Sequence, residues 1–350
     1  MKFASKKYIL LFLCFVGNIG LVMIIFKYSK SKNHRNNDFN RLFPPYFIYN
    51  PKQIELSFNS FYLAGITKNN IYLGNITAPA FLLKLNYDLT DTSHLILKVP
   101  SRIEIASNAI RVCVDSPDIY MMEGISPKVL HGALNDLNLT DSYYNGVRFN
   151  TSSIISRSSF VLRTYDQVLE RNILAKSTIQ PKKTERFPNI LTKRGDGIFS
   201  IDGNLTMDQY TRQLVYVYYY RNEYICLDTN LNIISKGKTI DSVHTPQIKL
   251  SKIFSEETTT FSAPPLTVNK TSCVDSGFLF VNSSLKAKNE DEFSFENNSV
   301  IDIYSLKNDE YQYSFYIPDH HHIKMKSFRV LNHQLIALYD HSLFTFSIHF

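Results

Sequence analysis

Phe328-Arg-Val-Leu331, Asn332-His333, Leu335-Ile-Ala-Leu-Tyr-Asp340, His341-Ser342, Leu343-Phe-Thr-Phe-Ser-Ile348: three short apolar runs are divided by polar pairs. Such runs, rich in Leu, Ile, Val and Phe and bounded by Asn, Asp and Ser, read as antiparallel strands joined by tight turns. No helical period of 3.6 fits them.

The same cadence recurs upstream. Phe61-Tyr-Leu-Ala-Gly-Ile66, Ile71-Tyr-Leu-Gly74, Phe81-Leu-Leu-Lys-Leu85 and His94-Leu-Ile-Leu-Lys-Val99 are separated by Lys68-Asn-Asn70, the Ala78-Pro79 break and a polar loop at 88–93. Four short strands in sequence make one antiparallel meander, the unit of a propeller blade. A second unit takes 110–114, 119–122 and 128–131; a third takes 153–155, 160–164 and 172–175. A fourth takes 197–200, 214–220 and 224–227, and a fifth takes 277–281, 300–304 and 311–316. The recurrence, about every 40–50 residues with one wider gap, is the size of a four-stranded blade. Within that gap, 251–265 is rich in Ser, Thr, Glu and Pro and reads as a loop insertion. The expected fold class is all-β, a β-propeller of six blades or seven, with a pair of β-sandwiches as the alternative. Residues 47–49 or 54–56 are placed to pair with the terminal unit and remove a sheet edge.

Leu279-Phe-Val-Asn-Ser-Ser284, Val300-Ile-Asp-Ile-Tyr-Ser-Leu306 and the run from Tyr311 to Pro318 resemble strands of uncharacterised six-bladed β-propeller proteins anchored in bacterial envelopes. The resemblance covers most of residues 50–350 and rests on strand patterns. It implies fold and location, and carries over no catalytic residue.

Composition agrees with a packed β-protein. A hydrophobic fraction of 44%, with 13% aromatic, supplies a core and excludes wholesale disorder. The aromatics are 25 Phe and 22 Tyr with no Trp, which suits pleated surfaces and excludes the Trp-Asp signature of one propeller type. With only 12 Gly, the turns lean on Asn, Asp and Ser.

Residues 8–26 carry no charge, interrupted only by Gly17, Asn18 and Gly20. A helix of that length spans about 28 Å, close to the hydrocarbon thickness of a bilayer. The run ends in Ile-Ile-Phe-Lys-Tyr28, with no small-residue cleavage site, so it reads as an uncleaved signal-anchor. The expected division is a membrane anchor over 1–26, a basic tether over 27–46 and a propeller over 47–350. Lysines flank the run on both sides, so the positive-inside bias does not orient it. A strand-rich, Asn-rich body behind an N-terminal anchor is expected outside the cytoplasm, periplasmic or at the cell surface.

The net charge of +7 hints at an anionic partner, but Lys2, Lys6, Lys7, Lys27, Lys30, Lys32 and Arg35 all sit around the apolar segment. The body is left near neutral, without the basic stripe that nucleic acid requires. Cys14 lies in the apolar segment. Cys113, Cys226 and Cys273 are far apart and form no CxxC pair, and one disulfide among them stays open.

Local motifs are weak. In His320-His321-His322, adjacent side chains on an extended chain point in opposite directions, and no further His or Cys lies near to complete a metal set. Gly237-Lys-Thr239 resembles the end of a phosphate loop, but Asn232 stands where the first glycine belongs, so it reads as a turn. Arg194-Gly-Asp196 reads as turn chemistry first and an adhesion tripeptide second. Sequons occur at Asn75, Asn138, Asn150, Asn204, Asn269, Asn282 and Asn297. No catalytic, cofactor or metal residue is assigned. The expected function is a membrane-anchored extracytoplasmic binding or scaffold module with a protein or small-ligand partner, and no nucleic acid. The alternative is a hydrolase or lactonase-like enzyme with a metal in the central channel.

Overall fold

The computed structural model describes residues 2–31, 37–45, 47–101, 109–142, 146–195, 198–253 and 258–349. Among them, six four-stranded antiparallel sheets follow one another along the chain. Blade 1 is Phe61–Ile66, Asn70–Asn75, Phe81–Asn86 and Thr92–Ile96, and blade 2 is Ile110–Asp115, Asp118–Glu123, Lys128–Ala133 and Thr140–Ser142. Blade 3 is Thr151–Ser156, Ser159–Asp166, Arg171–Thr178 and Lys183–Phe187, and blade 4 is Gly203–Met207, Leu214–Tyr218, Glu223–Leu227 and Ile233–Lys238. Blade 5 is Asn269–Asp275, Phe278–Ser283, Asn298–Ser305 and Glu310–Pro318. Blade 6 is Ser327–Leu331, Gln334–Leu338 and Ser342–Ile348, with the early strand Ile48–Glu55 as its outermost member.

That last pairing closes the ring. Ile54 lies opposite Leu343 and Glu55 opposite Ser342, with a register shift between Tyr49 and Lys52. Both stretches expected to pair with the terminal unit therefore contribute to one strand. Closure gives the Ser342–Ile348 edge a partner, which an open sheet would leave unpaired.

The apolar residues are distributed between blades. Phe328 and Leu335 pack on Phe280 and Ile303, joining blades 6 and 5. Ile336 and Leu338 pack on Ile71 and Leu73, joining blades 6 and 1. Further clusters join blades 1 and 2, 2 and 3, 3 and 4, and 4 and 5. Within Leu214–Tyr218, the side chains of Tyr216 and Val217 fall in different clusters, one facing blade 3 and the other blade 5. A strand covered on both faces reads as a continuous apolar run, which is why these middle strands stand out. At Gly65 a Cβ would lie 2.3 Å from the Val114 carbonyl oxygen, so only glycine allows blades 1 and 2 this approach.

Two expected elements differ. The inner strand of blade 4, expected at 197–200, is Gly203–Met207, while Ile198–Ile201 forms a 3-10 turn; Gly197 lies outside the described residues. Segment 251–265 holds the paired strands Leu250–Ile253 and Thr258–Phe261, an antiparallel hairpin between blades 4 and 5.

Lys2–Ser31 is one continuous helix. Among the described residues no helix is long and apolar enough to cross a membrane. The anchor expected over 8–26 is thus helical, but its transmembrane placement is not supported; within it Asn18 turns its amide onto the Cys14 carbonyl at 2.9 Å.

Beyond this helix, residues 37–45 lie along blade 5. Arg41, fully buried, donates from Nε to Asp302 Oδ1 at 2.7 Å and from Nη2 to Asp302 Oδ2 at 3.0 Å. Its Nη1 donates to Glu290 and, at 2.8 Å, to the Leu285 carbonyl. Burial disfavours the guanidinium charge, but the two carboxylates more than offset this and hold it protonated. Around it, Ser314 N–H donates to the Leu42 carbonyl at 2.7 Å, and Phe43 stacks on Tyr316 at 4.6 Å.

The three propeller cysteines are unpaired, one each in blades 2, 4 and 5. Burial pushes the thiols of Cys113, Cys226 and Cys273 up to about 11, 11 and 12. An unfolded chain releases those protons near pH ~8.5. Above that point the unfolded state binds fewer protons than the folded one, so this stability is intact at neutral pH and lost as pH rises toward 11. The urea midpoint is expected to fall between neutral and alkaline buffer, less steeply in Cys273→Ala. An identical slope in that variant argues against the buried thiol.

Candidate functional site

The first strand of each blade lies innermost, around the ring axis. In blade 2, half-buried Arg111, Cys113 and Asp115 alternate with buried Ile110, Val112 and Val114. In blade 6, half-buried Ser327, Arg329 and Leu331 alternate with buried Phe328 and Val330. The buried sets fill the clefts between blades 1 and 2 and between blades 5 and 6, while Cys113, on the other face of its strand, packs toward blade 3. Arg111 Nη1 donates to the Ile110 carbonyl at 2.8 Å, and its guanidinium lies over the Tyr62 ring, 5.3 Å from the centroid. Tyr62 in turn accepts from Val112 N–H at 2.7 Å, a bond between blades 1 and 2. Burial raises the Cys113 thiol, while Arg329 and Arg111 pull it down, so guanidiniums from two non-adjacent blades act on one thiol. At neutral pH that thiol stays protonated, and the channel offers no thiolate nucleophile there.

One face of the channel is closed by the loop 208–213, between the first two strands of blade 4. Asp208, fully buried, accepts from Tyr210 N–H at 2.8 Å and Thr211 N–H at 3.2 Å, which folds the loop into an Asx turn. Its second oxygen accepts from Gly277 N–H of blade 5 at 2.7 Å. Gln209 Nε2 donates to Asp115 of blade 2 at 3.1 Å, and Tyr210 OH donates to Asn332 of blade 6 at 2.5 Å. Arg212 donates to the Ile155 carbonyl of blade 3 and, at 3.2 Å, to Gln209 Oε1. One short loop therefore reaches blades 2, 3, 5 and 6. It lies where the inner strands of those blades end. Around the plug, burial raises the carboxyls of Asp115 and Asp275, with Arg212 and the Asn332 N–H respectively opposing the shift.

The residues singled out in the sequence do not converge on this channel. His320, His321 and His322 form a tight turn in which His321 and His322 take left-handed backbone, φ 50 and 64. His320 packs on Tyr339 and Phe344 and lies 3.5 Å from Glu55. Among the described residues no group of three His, Cys, Asp or Glu is placed to hold a metal ion. Gly237 and Lys238 belong to a strand rather than the expected turn, paired with Tyr224 and Glu223, and a Cβ at Gly237 would come within 2.0 Å of the Tyr224 ring. Arg194 pairs with Glu223 at 2.5 Å, while Asp196 lies outside the described residues. Of the sequons, Asn75, Asn269 and Asn282 are buried and closed to a glycan, whereas Asn138 and Asn150 are exposed.

Sequence reasoning missed both the plug and the Arg41 cluster. Asp208-Gln-Tyr-Thr-Arg212 carries an Asx-turn signal, but nothing local marks its reach across a ring.

No protein-family model and no curated protein matches the chain. Among solved structures it is similar to a member of the DUF4221 family from Bacteroides vulgatus. The TM-score is 0.54 and the identity 12%, over 90% of this chain and 99% of that one. A candidate exported protein from Bacteroides fragilis has the same TM-score of 0.54 at 8% identity, again over 90% of this chain and 99% of the other. At such identity the likeness establishes the six-bladed fold alone.

Proposed function

We propose that this chain is a membrane-tethered, extracytoplasmic propeller that acts as a binding module, with its ligand entering the blind channel. The observation that carries the reading is the plug: a polar channel closed by Asp208, Gln209 and Tyr210 at one face suits holding a ligand rather than passing one through. Such a ring presents variable loops on a rigid frame, an arrangement suited to recognition.

Attachment draws on the N-terminal helix. Leu11, Phe12, Leu13, Phe15, Val16 and Ile19 are exposed on all its sides, and a helix apolar all round calls for a nonaqueous surrounding. On this reading 1–26 anchors, 27–46 tethers and 47–350 forms the ring. The likeness to a candidate exported protein favours placing the ring outside the cytoplasm.

Fractionation of cells making the full chain with a C-terminal tag tests this. The protein is expected in the membrane pellet after alkaline carbonate washing, with the tag open to protease added outside. Deleting 8–26 is expected to move it to the soluble fraction. A full-length chain that washes off, or a tag digested only after permeabilisation, overturns the reading.

A further inference from the structure

A cavity of about 340 Å³ lies on blade 5, outside the channel, and nothing above assigns it a role. Its walls are built rather than incidental. Asn282 and Ser299, from the two middle strands of the blade, are only 2% and 4% exposed. Yet among the described residues Asn282 Oδ1 and Ser299 Oγ have no hydrogen-bond partner, and neither has Ser284 Oγ beside them. Three orphaned buried oxygens at one cavity are unusual, since buried polar groups are nearly always satisfied by protein, water or ligand.

The remaining walls restrict what can fill it. Phe295, from the short helix Glu292–Glu296, supplies a flat apolar surface. Lys324 is already committed: its Nζ donates to the carbonyls of Phe295, Glu296 and Asn298 at 3.2, 2.7 and 2.7 Å, and lies 3.0 Å from Asp319. Lys270, at the start of the blade's inner strand, makes no hydrogen bond or ion pair among the described residues and is free to donate. Burial and the neighbouring Lys324 lower its pKa, while Asp319 opposes this. Glu296 also borders the cavity, and Asp319, outside its lining, pairs with Lys324, so the charges around it balance.

A charge-balanced wall offering both donors and acceptors beside one aromatic face matches a molecule whose groups both donate and accept. The geometry points to a neutral polyhydroxylated ligand of monosaccharide size, its hydroxyls on Lys270 and, once their side chains turn toward the cavity, on Asn282, Ser284 and Ser299, and its C–H face on Phe295. The volume is at the low end for small-molecule sites, which run from about 300 to 1,000 Å³. This site stands apart from the channel and from membrane attachment, so its test does not depend on either.

Saturation-transfer NMR on the full chain in detergent, with glucose, galactose, mannose and sodium gluconate as probes, tests it. At least one neutral sugar is expected to bind with Kd in the ~1 mM range, and gluconate more weakly. Ser299→Ala and Lys270→Met are each expected to weaken that sugar at least about tenfold, the loss from removing roughly one good hydrogen bond. Because Ser299→Ala deletes an orphaned hydroxyl, its urea midpoint is expected to be unchanged or higher, which a purely structural role for Ser299 would not give. No signal from any neutral sugar, tighter binding of gluconate, or affinity unaltered in both variants overturns the assignment.

Discussion

Arg41→Ala is expected to lower the unfolding free energy by about 3–5 kcal/mol, the usual loss when one partner of a buried ion pair is removed. The loss arises less from the missing attraction than from what remains. Asp302 and Glu290 stay enclosed, Asp302 without its donors at 2.7 and 3.0 Å and Glu290 without its guanidinium partner. Glu290 keeps Tyr316 OH at 2.6 Å and Ala287 N–H at 2.5 Å, and Asp302 keeps Ser314 Oγ at 2.5 Å, all neutral donors that leave two buried negative charges uncompensated. Arg41→Lys should recover little, because a point ammonium cannot serve Asp302, Glu290 and the Leu285 carbonyl together. Urea denaturation with an unchanged slope reads the loss, and limited proteolysis within 37–45 reads the undocking. A midpoint within error of the parent protein would falsify the claim that this segment is clamped.

Leu56→Pro should be nearly as damaging, through ring closure. Leu56 is buried against blades 1 and 6, and its N–H donates to the His341 carbonyl at 2.7 Å. Proline removes that donor and the leucine side chain, with about 1.5–3 kcal/mol from lost burial and about 1–3 kcal/mol from the orphaned carbonyl. A loosened Ile48–Glu55 also exposes Ser342–Ile348 as an open edge, a template for pairing with another chain. Gel filtration is expected to show concentration-dependent oligomers. Leu56→Ala, which keeps the N–H, should lose stability yet remain monomeric. Equal midpoints and equal elution for the two variants would show that the backbone bond does not hold the ring shut.

What the sequence disclosed followed burial. Ser159–Asp166, Leu214–Tyr218 and Phe278–Ser283 are enclosed by blades on both sides, so their apolar runs announce strands. Gly203–Met207 and Asn269–Asp275 were not legible, because they carry Asn, Thr, Lys and Ser among their residues, unlike the apolar inner strand Phe61–Ile66. Outer strands such as Lys183–Phe187 and Thr140–Ser142 were hidden for the opposite reason: at the rim they are short and polar. The terminal pairing with residues 47–56 could be anticipated, since a closed sheet demands a partner for its last edge. Arg41 could not, for it reads as one more basic residue after a basic flank, and its partners lie 249 and 261 residues away. The plug shares this difficulty, as Gln209 meets Asp115 across 94 residues.

The distance in sequence between Ile48–Glu55 and Ser342–Ile348 also sets a clock. At typical synthesis rates of about 5–20 residues per second, the early strand waits roughly 15–60 s for its partner to be made. Throughout that interval five blades can form while the sixth cannot, and an unmatched strand stands ahead of them in the nascent chain. Helical bundles, built from neighbours in sequence, have no such delay. Production of this protein is therefore expected to depend on whatever shields that strand until translation of its partner is complete.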